Sequence, residues 1–401
     1  MSIAAAGEPA PPVTRKRPKN RKTQLALAAA EMFCDRGYHG VSLDEIATAV
    51  GISGPAIYRH FSNKYAMLVH ATRQIVDAVL AATDLPAGGD AHRKLDELLA
   101  VLARLAVEHR RVAGLYQWEW RYLTPEHRDE FMTELSTLAA RLAAPLRELR
   151  PGLTARDAHA LVRAALSVFG SLGTHRAVIA RGRAEAVLRR VAWAVLLDEP
   201  ATPSGPAVQG PEREPVLGVT ARREILLAES IKLFHRHGYH AVGVEDIGRA
   251  AGINASSVYR YFPGKADILA AAFYRASERV AEATTAALTG ATGDEDALRR
   301  MARSYVELSF ERSALVAVYL AENNNLPEAD RHELRKVQRL HVEEWVRLLG
   351  RLRPGLAVPE ARVLVHAALN LVTDLSRLVR FDRRSGMDRH LTRLMLTVLH
   401  A

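Results

Sequence analysis

The stretch FCDRGYHGVSLDEIATAVGISGPAIYRHFSNK, Phe33 to Lys64, returns as FHRHGYHAVGVEDIGRAAGINASSVYRYFPGK, Phe234 to Lys265. The two align without a gap, and matched residues lie 201 positions apart: Gly37 with Gly238, Ile46 with Ile247, Gly51 with Gly252, Tyr58 with Tyr259, Phe61 with Phe262, Lys64 with Lys265. A period of this size marks a duplicated domain, because stacked repeat architectures recur every ~20–50 residues. In the first copy Ser42 is positioned to cap SLDEIATAV, whose Leu43, Ile46, Ala47 and Val50 face inward. Gly51 permits a tight turn and Ile52 packs between two helices. The next helix, about Ser53 to His60, would enter the major groove with its N-terminal residues nearest the bases. Each copy therefore reads as a DNA-reading helix–turn–helix.

Working outward, 401 residues are too many for one core, and two units of about 200 match the repeat. The composition is 48% hydrophobic and 25% charged, rich in Ala, Leu and Arg, with little strand-like alternation. The expected fold class is all-α. A net charge of +10 favours a polyanionic partner. The single cysteine, Cys34, rules out an intramolecular disulfide and suits a reducing compartment. No apolar run reaches the ~18 residues that a membrane span needs, and nothing at the N-terminus resembles a secretion signal. A cytoplasmic protein with no membrane partner is expected.

The expected domain layout is a flexible basic arm over 1–22, a first head over 23–68 and a first regulatory and pairing domain over 69–198. A linker over 199–219, with prolines at 200, 203, 206, 211 and 215, leads to a second head over 220–269 and a second regulatory domain over 270–401. Helical spacing predicts helices near 64–82, 91–111, 113–123, 125–149, 155–180 and 184–197. In the second half they fall near 265–288, 294–312, 314–324, 327–351, 359–380 and 387–399. The motif LRPGL recurs at Leu149–Leu153 and Leu352–Leu356, so duplication extends beyond the heads.

Both copies resemble the TetR family of bacterial transcriptional repressors: a helix, RGY or HGY, a helix–turn–helix, Tyr-Arg-His or Tyr-Arg-Tyr, Phe-x-x-Lys, then helices of a ligand-binding domain. Single-chain duplication is a departure from the usual homodimer and is similar to the rarer tandem TetR regulators of actinobacteria. The resemblance implies that Ser53, Gly54, Pro55 and Ala56 face base edges in head one. In head two the same places are held by Asn254, Ala255, Ser256 and Ser257. It further implies phosphate contacts from Tyr58, His60, Lys64, Tyr259, Tyr261 and Lys265, with Arg59 and Arg260 serving either role. Ser42 would add a phosphate contact that Gly243 cannot supply. Asn254 is suited to bidentate pairing with adenine. Arg15, Lys16, Arg17, Lys19, Arg21 and Lys22 precede head one only and would reach a minor groove or phosphates.

The resemblance also implies a small effector. Candidate lining residues are Tyr116, Trp118, Trp120 and Tyr122 in half one, and Tyr319 and Asn323 in half two; their character points to an apolar molecule. The final two helices of each half, about 155–197 and 359–399, should pair inside one chain as a pseudo-dimer. The 16 histidines show no metal-ligand spacing, no catalytic or cofactor motif is evident, and no enzyme activity is expected. The expected function is a ligand-responsive repressor whose two unlike heads bind an asymmetric or imperfect DNA operator. The alternatives are an activator, or a helical ligand-binding protein or enzyme whose helix–turn–helix copies are vestigial.

Overall fold

In the computed structural model, residues 21–86, 88–112, 115, 119–199, 221–311, 313–378 and 387–401 are described. Among these residues the regular structure is helical, with no strand. Head one comprises α1 (Arg21–Arg36), α2 (Leu43–Ala49) and α3 (Gly54–Ile57). The first half continues with α4 (Lys64–Ala82), α5 (Ala91–Glu108), α6 (Pro125–Leu149), α7 (Ala155–Gly170) and α8 (Arg181–Leu197). Head two comprises α9 (Arg222–His237), α10 (Val244–Ala250) and α11 (Ala255–Val258). Then follow α12 (Lys265–Thr289), α13 (Asp294–Glu311), α14 (Ser313–Glu322), α15 (Glu328–Leu352), α16 (Val358–Leu378) and α17 (Met387–His400).

Local chemistry accounts for the helix starts. Asn63 accepts from the Ala66 amide to open α4, Asp90 accepts from Arg93 to open α5, and Thr154 accepts from Asp157 to open α7. Each satisfies one of the amides a helix N-terminus leaves unpaired. The repeated LRPGL has a shared use. Arg150 Nη1 donates to the carbonyls of Leu196 and Asp198, and Arg353 Nη1 to those of Leu399 and Ala401. In both halves this arginine ties the end of the last helix to the loop after α6 or α15.

The helix expected over 155–180 stops at Gly170, passes through a 3-10 turn (Ser171–Thr174) and runs extended from His175. Arg110 supplies the reason. Its guanidinium donates to three carbonyls of this segment: Nε to Leu172 O at 3.1 Å, Nη1 to Ala177 O at 2.9 Å and Nη2 to His175 O at 2.7 Å. These carbonyls would otherwise be taken up within a continued helix. Of the segment expected as a helix over 113–123, Glu119–Tyr122 is a 3-10 turn. Tyr116 and Trp118 lie outside the described residues, as does the linker from 200 onward.

One core joins the two halves. Leu161, Ala165, Val168 and Leu172 of the first half and Val365, Ala368 and Val372 of the second are buried in the same apolar cluster, and Leu369 packs against it half-buried. Around it, α7 and α8 face α16 and α17. Polar contacts fix the register. Asn370 Nδ2 donates to Ser167 O at 3.0 Å and Ser167 Oγ at 3.1 Å, while Ser167 Oγ donates to Asp374 Oδ2 at 2.8 Å. Arg183 pairs with Glu360 at 2.6 Å and Arg393 with Asp198 at 3.0 Å. Buried polar groups that satisfy one another define a single arrangement better than apolar contact alone.

The heads have separate cores, yet neither stands alone. Phe33, Ile46, Ile57 and Phe61 pack with Leu115, Leu123 and Phe131, and Phe234, Ile247, Val258 and Phe262 pack with Val318, Leu326 and Leu334. The helices α4 and α12 run unbroken across the expected head boundaries at 68 and 269.

Candidate nucleic-acid interface

The outer surface of each head is built around its shortest helix. In head one, Ser42 accepts from the Glu45 amide at 3.2 Å and Glu45 accepts from the Ser42 amide at 2.8 Å, a capping box that opens α2. Those hydrogen bonds and Arg36 hold the Glu45 carboxyl down at about 2. The Ser42 hydroxyl also donates to Glu45 at 2.8 Å, so it is engaged in the cap; the phosphate contact expected of it is not its resting role. Gly243 retains half of the box, its amide donating to Asp246 at 2.9 Å.

Gly51 and Gly252 carry the turn with φ of +72° and +69°, a conformation costly for other residues. The helix expected over Ser53–His60 is only α3, Gly54–Ile57, with Tyr58 to His60 in a following turn. The two heads solve the close approach of their short helices differently. A Cβ on Gly54 would meet Asp44 Oδ1 at 2.2 Å, whereas in head two it is Gly248, on the other helix, whose Cβ would meet Ile253 O at 2.9 Å. The obstacle at Gly54 is the exposed end of the Asp44 side chain, which can swing aside, whereas at Gly248 it is backbone, so helix packing requires glycine at 248 rather than at 54.

Ser53 and Asn254 begin the two helices and are exposed. The Ser53 side chain makes no cap hydrogen bond. Asn254 Oδ1 instead accepts from the Ser257 amide at 2.8 Å and from Ser256 Oγ at 2.9 Å. Both acceptor positions of that oxygen are occupied, so the bidentate adenine contact expected of Asn254 requires opening the cap; its Nδ2 is the group left to read a base. Pro55 is exposed, and Ala56, Ala255 and Ser257 are half-buried beside them.

Tyr58 and Tyr259 are 58% and 55% exposed, and Tyr261 40%, while Phe61 and Phe262 are buried core. Arg59 and Arg260 are exposed next to them, and His60 is half-buried. Large aromatics are not left in water by packing; here the phenols and guanidiniums stand outward together, a donor set suited to phosphate.

The lysines expected to be phosphate contacts have another occupation. Lys64 Nζ donates to Tyr38 O at 2.8 Å and Val41 O at 2.9 Å, over the Tyr38 ring at 4.4 Å. Lys265 repeats this with Tyr239 O and Val242 O, both at 2.7 Å, and the Tyr239 ring at 4.3 Å. Burial lowers the pKa of both. With two of three N–H donors committed to backbone, each lysine braces the loop before the helix–turn–helix. Spacing could not reveal this, because the accepting carbonyls come from about 25 residues upstream.

Arg21 and Lys22 belong to α1 rather than to an arm, and they have counterparts. Arg21 donates to Val50 O at 3.5 Å and Arg222 to Ala251 O at 3.3 Å; Lys22 lies over the Phe61 ring and Arg223 over Phe262. Sequence reading missed Arg222 and Arg223, although the 201-residue register would have found them. Arg15, Lys16, Arg17 and Lys19 lie outside the described residues.

The residues expected to line an effector site separate. Tyr122 stacks on Tyr38 of head one at 5.2 Å, a packing role. Trp120 lies in the 3-10 turn, its side chain outside the described set. Asn323 is half-buried in the turn Asn323–Asn325. Tyr319 packs on Phe273 at 4.7 Å and accepts a hydrogen bond from Gln338, and burial raises its phenol well above the ordinary value. Nearby, Val280, Thr284, Met301, Tyr305, His341 and Trp345 surround a cavity of about 10 Å³, about room for one water. Burial drops the His341 imidazole to about 4, so it is neutral there. The equivalents of Tyr305, His341 and Trp345, 203 residues earlier, are the buried Leu102, Leu138 and Leu142. Among the described residues no His, Cys, Asp or Glu cluster could hold a metal ion, and no helix is long and apolar enough to cross a membrane.

Comparison with known proteins matches both heads, residues 26–71 and 226–272, to the family described as bacterial regulatory proteins, tetR family. The transcriptional activator FasR of Mycolicibacterium smegmatis is 43% identical over 61 residues, 15% of this chain and 28% of that protein. The transcriptional repressor KstR2 of Rhodococcus jostii is 31% identical over 120 residues, 29% of this chain and 58% of that protein. The chain therefore spans less than two thirds of the length of these relatives. Among solved structures, the ketosteroid regulator KstR2 of Mycobacterium tuberculosis superposes on 46% of this chain and 95% of its own, with 21% identity and a TM-score of 0.39. PfmR of Thermus thermophilus covers 44% and 100%, with 25% identity and a TM-score of 0.39.

Proposed function

The chain belongs to the tetR family of bacterial regulatory proteins, whose DNA-binding unit it carries twice, and on that footing we propose that it is a transcriptional regulator gripping one double-stranded DNA operator with both heads of a single chain. The observation that carries this reading is the matched outward set on each head: Tyr58 with Arg59, and Tyr259 and Tyr261 with Arg260, in the turns that follow α3 and α11. A vestigial helical hairpin has no use for exposed phenols and guanidiniums kept in register across 201 residues. Phosphate contacts from these groups position the heads, and Ser53, Pro55, Ala56, Asn254, Ala255, Ser256 and Ser257 meet base edges. Since the two sets differ, the operator is asymmetric and is bound in one orientation. The arm residues Arg15, Lys16, Arg17 and Lys19 add contacts beside head one.

Repression is the sign we assign, because occupancy of a promoter suffices for it while activation needs a further contact with the transcription machinery. An apolar effector acts through half two. That assignment is supported by the cavity beside Tyr305, His341 and Trp345, whose places in half one are held by the buried Leu102, Leu138 and Leu142. Tyr319, on α14, is the residue that would feel its entry. The pocket's enlargement from one water to an organic molecule requires α14 and α15 to move, which is how binding would be communicated to head two.

The test is operator mapping by genomic pull-down, followed by binding to the recovered site between ~50 and 200 mM salt. A sequence-preferring affinity that falls steeply with salt is expected. A chain that binds no DNA, or binds all sequences alike, would return it to the class of helical ligand-binding proteins.

A further inference from the structure

The two heads touch. His39 of head one and His240 of head two, counterparts in the repeat, lie with ring centroids 4.3 Å apart. Close to them three groups converge on one carboxylate. Glu322, at the end of α14 and 4% exposed, pairs with Arg121 of the other half at 3.0 Å. It also accepts from the Tyr239 amide of head two at 3.3 Å and from Asn325 Nδ2 at 2.7 Å. Arg121 in turn donates to the Tyr122 hydroxyl at 2.7 Å, and Tyr122 stacks on Tyr38 and meets His39 edge-on at 4.8 Å. A continuous path thus runs from head one through Tyr122, Arg121 and Glu322 to head two.

This junction is not symmetric. The helices α6 and α15 are 203 residues out of step, so the counterparts of Arg121 and Tyr122 are Asn324 and Asn325, and that of Glu322 is Glu119. A homodimer would make each contact twice; here Arg121 meets Glu322 and an asparagine stands where a second arginine would be. Asn324 instead fills the space beside Gly37, where a Cβ would lie 3.0 Å from its Nδ2, while the equivalent Gly238 has nothing within 4 Å. The halves have therefore diverged into two complementary sides of one joint.

We infer that Arg121 and Glu322 are positioning residues that fix the separation and relative orientation of the two heads, and so set which spacing of half-sites the chain accepts. The inference rests on the DNA-binding reading above, but the geometry of the joint can be tested without DNA. The Glu322 side chain is buried and that of Arg121 is 27% exposed, so loss of the arginine leaves a buried carboxylate with only the Tyr239 amide and Asn325 to compensate it, and the joint loosens. The pair sits on the two segments that carry each regulatory region to its own head. Tyr319 precedes Glu322 by one helical turn on α14, so displacement of that helix moves the carboxylate directly.

Spin labels at Ala49→Cys and Ala250→Cys, matched exposed sites on α2 and α10, report the head separation when Cys34 is replaced by Ser. Pulsed electron resonance should give one narrow distance for the parent and a broad or shifted distribution for Glu322→Gln and Arg121→Met. The double variant should be no broader than either alone, since both act on one contact. Asn324→Ala, which leaves no buried charge unpaired, should broaden it less and keeps the test open should the charge variants misfold. In parallel, selection from DNA with half-sites at varied spacing should give one preferred spacing for the parent. That preference should weaken by about tenfold or more in Glu322→Gln, the scale expected on loss of a buried pair. Narrow distances in all four variants, or an unaltered spacing preference in a folded Glu322→Gln, would overturn the inference. A parent that binds no DNA yet shows narrow distances that broaden in the variants would remove the DNA reading and leave the joint standing.

Discussion

His175 and His366 stack face to face across the join between the halves, with ring centroids 4.1 Å apart and planes 10° from parallel. Burial pushes both imidazoles below the ordinary histidine value, His366 to about 4 and His175 further; Arg110 adds to the shift at both, and His366 adds to that at His175. Glu343 opposes the shift at His366 and Arg362 adds to it. Both rings are neutral in the folded chain near pH 7. A group whose folded pKa is depressed contributes stability that is complete above its unfolded value, near 6.5, and is lost as pH falls toward 4.

Acidification should therefore weaken the join before most carboxylates titrate. Urea unfolding is expected to show a loss between pH 7 and pH 4.5 on the order of 2–3 kcal/mol for each ring, about 5 kcal/mol for the pair. His366→Gln should flatten that slope. Equal pH dependence in the parent and the variant would show that the stack is indifferent to its charge.

The lysine braces predict a folding defect where a plain phosphate contact would predict none. Lys64→Ala removes two charge-assisted hydrogen bonds to Tyr38 O and Val41 O and should destabilise head one by about 2–4 kcal/mol without DNA present. Arg59→Ala, at an exposed site, should leave the unfolding transition in place and reduce the salt slope of binding by about 0.9. Thermal melts and salt titrations of the two variants separate the roles. A Lys64→Ala chain as stable as the parent would restore that lysine to the phosphate set.

Asn254 combines a cap with a free amide, and two substitutions part them. Asn254→Ala should cost about 1 kcal/mol of stability through the lost cap as well as base preference. Asn254→Ser keeps a capping oxygen but has no Nδ2, so it should retain stability and still relax preference at a base pair or two, by about 1–3 kcal/mol. If Asn254→Ser discriminates sequences as the parent does, Asn254 is only a cap.

Deletion of residues 1–19 removes Arg15, Lys16, Arg17 and Lys19 and leaves Arg21 and Lys22 on α1. The plot of log affinity against log salt should become shallower by up to about 3, at about 0.9 per phosphate contact. An unchanged slope measured on the mapped operator would show that the arm takes no part.

What the sequence determined by itself was everything carried by local pattern. A gap-free register of 201 residues identified two heads, and 3.6-residue spacing located α6 and α15 to within a few residues. Glycine at 51 and 252, serine at 42 and the apolar Phe61 and Phe262 could be assigned because turn, cap and core chemistry depend on near neighbours in the chain. What only the tertiary structure decided were the partners that distant segments supply. Lys64 looked like a free cation until the carbonyls of Tyr38 and Val41 were beside it. The helix over 155–180 looked continuous until Arg110, in the turn after α5, took its carbonyls. Glu322 drew no notice as an ordinary helix-end carboxylate, and it became the centre of the joint only when Arg121 of the other half met it. Charged and polar side chains are long, and a hydrogen bond acts over about 3 Å in space regardless of separation along the chain. Their roles are therefore fixed by which segments folding brings together, which a one-dimensional pattern does not contain.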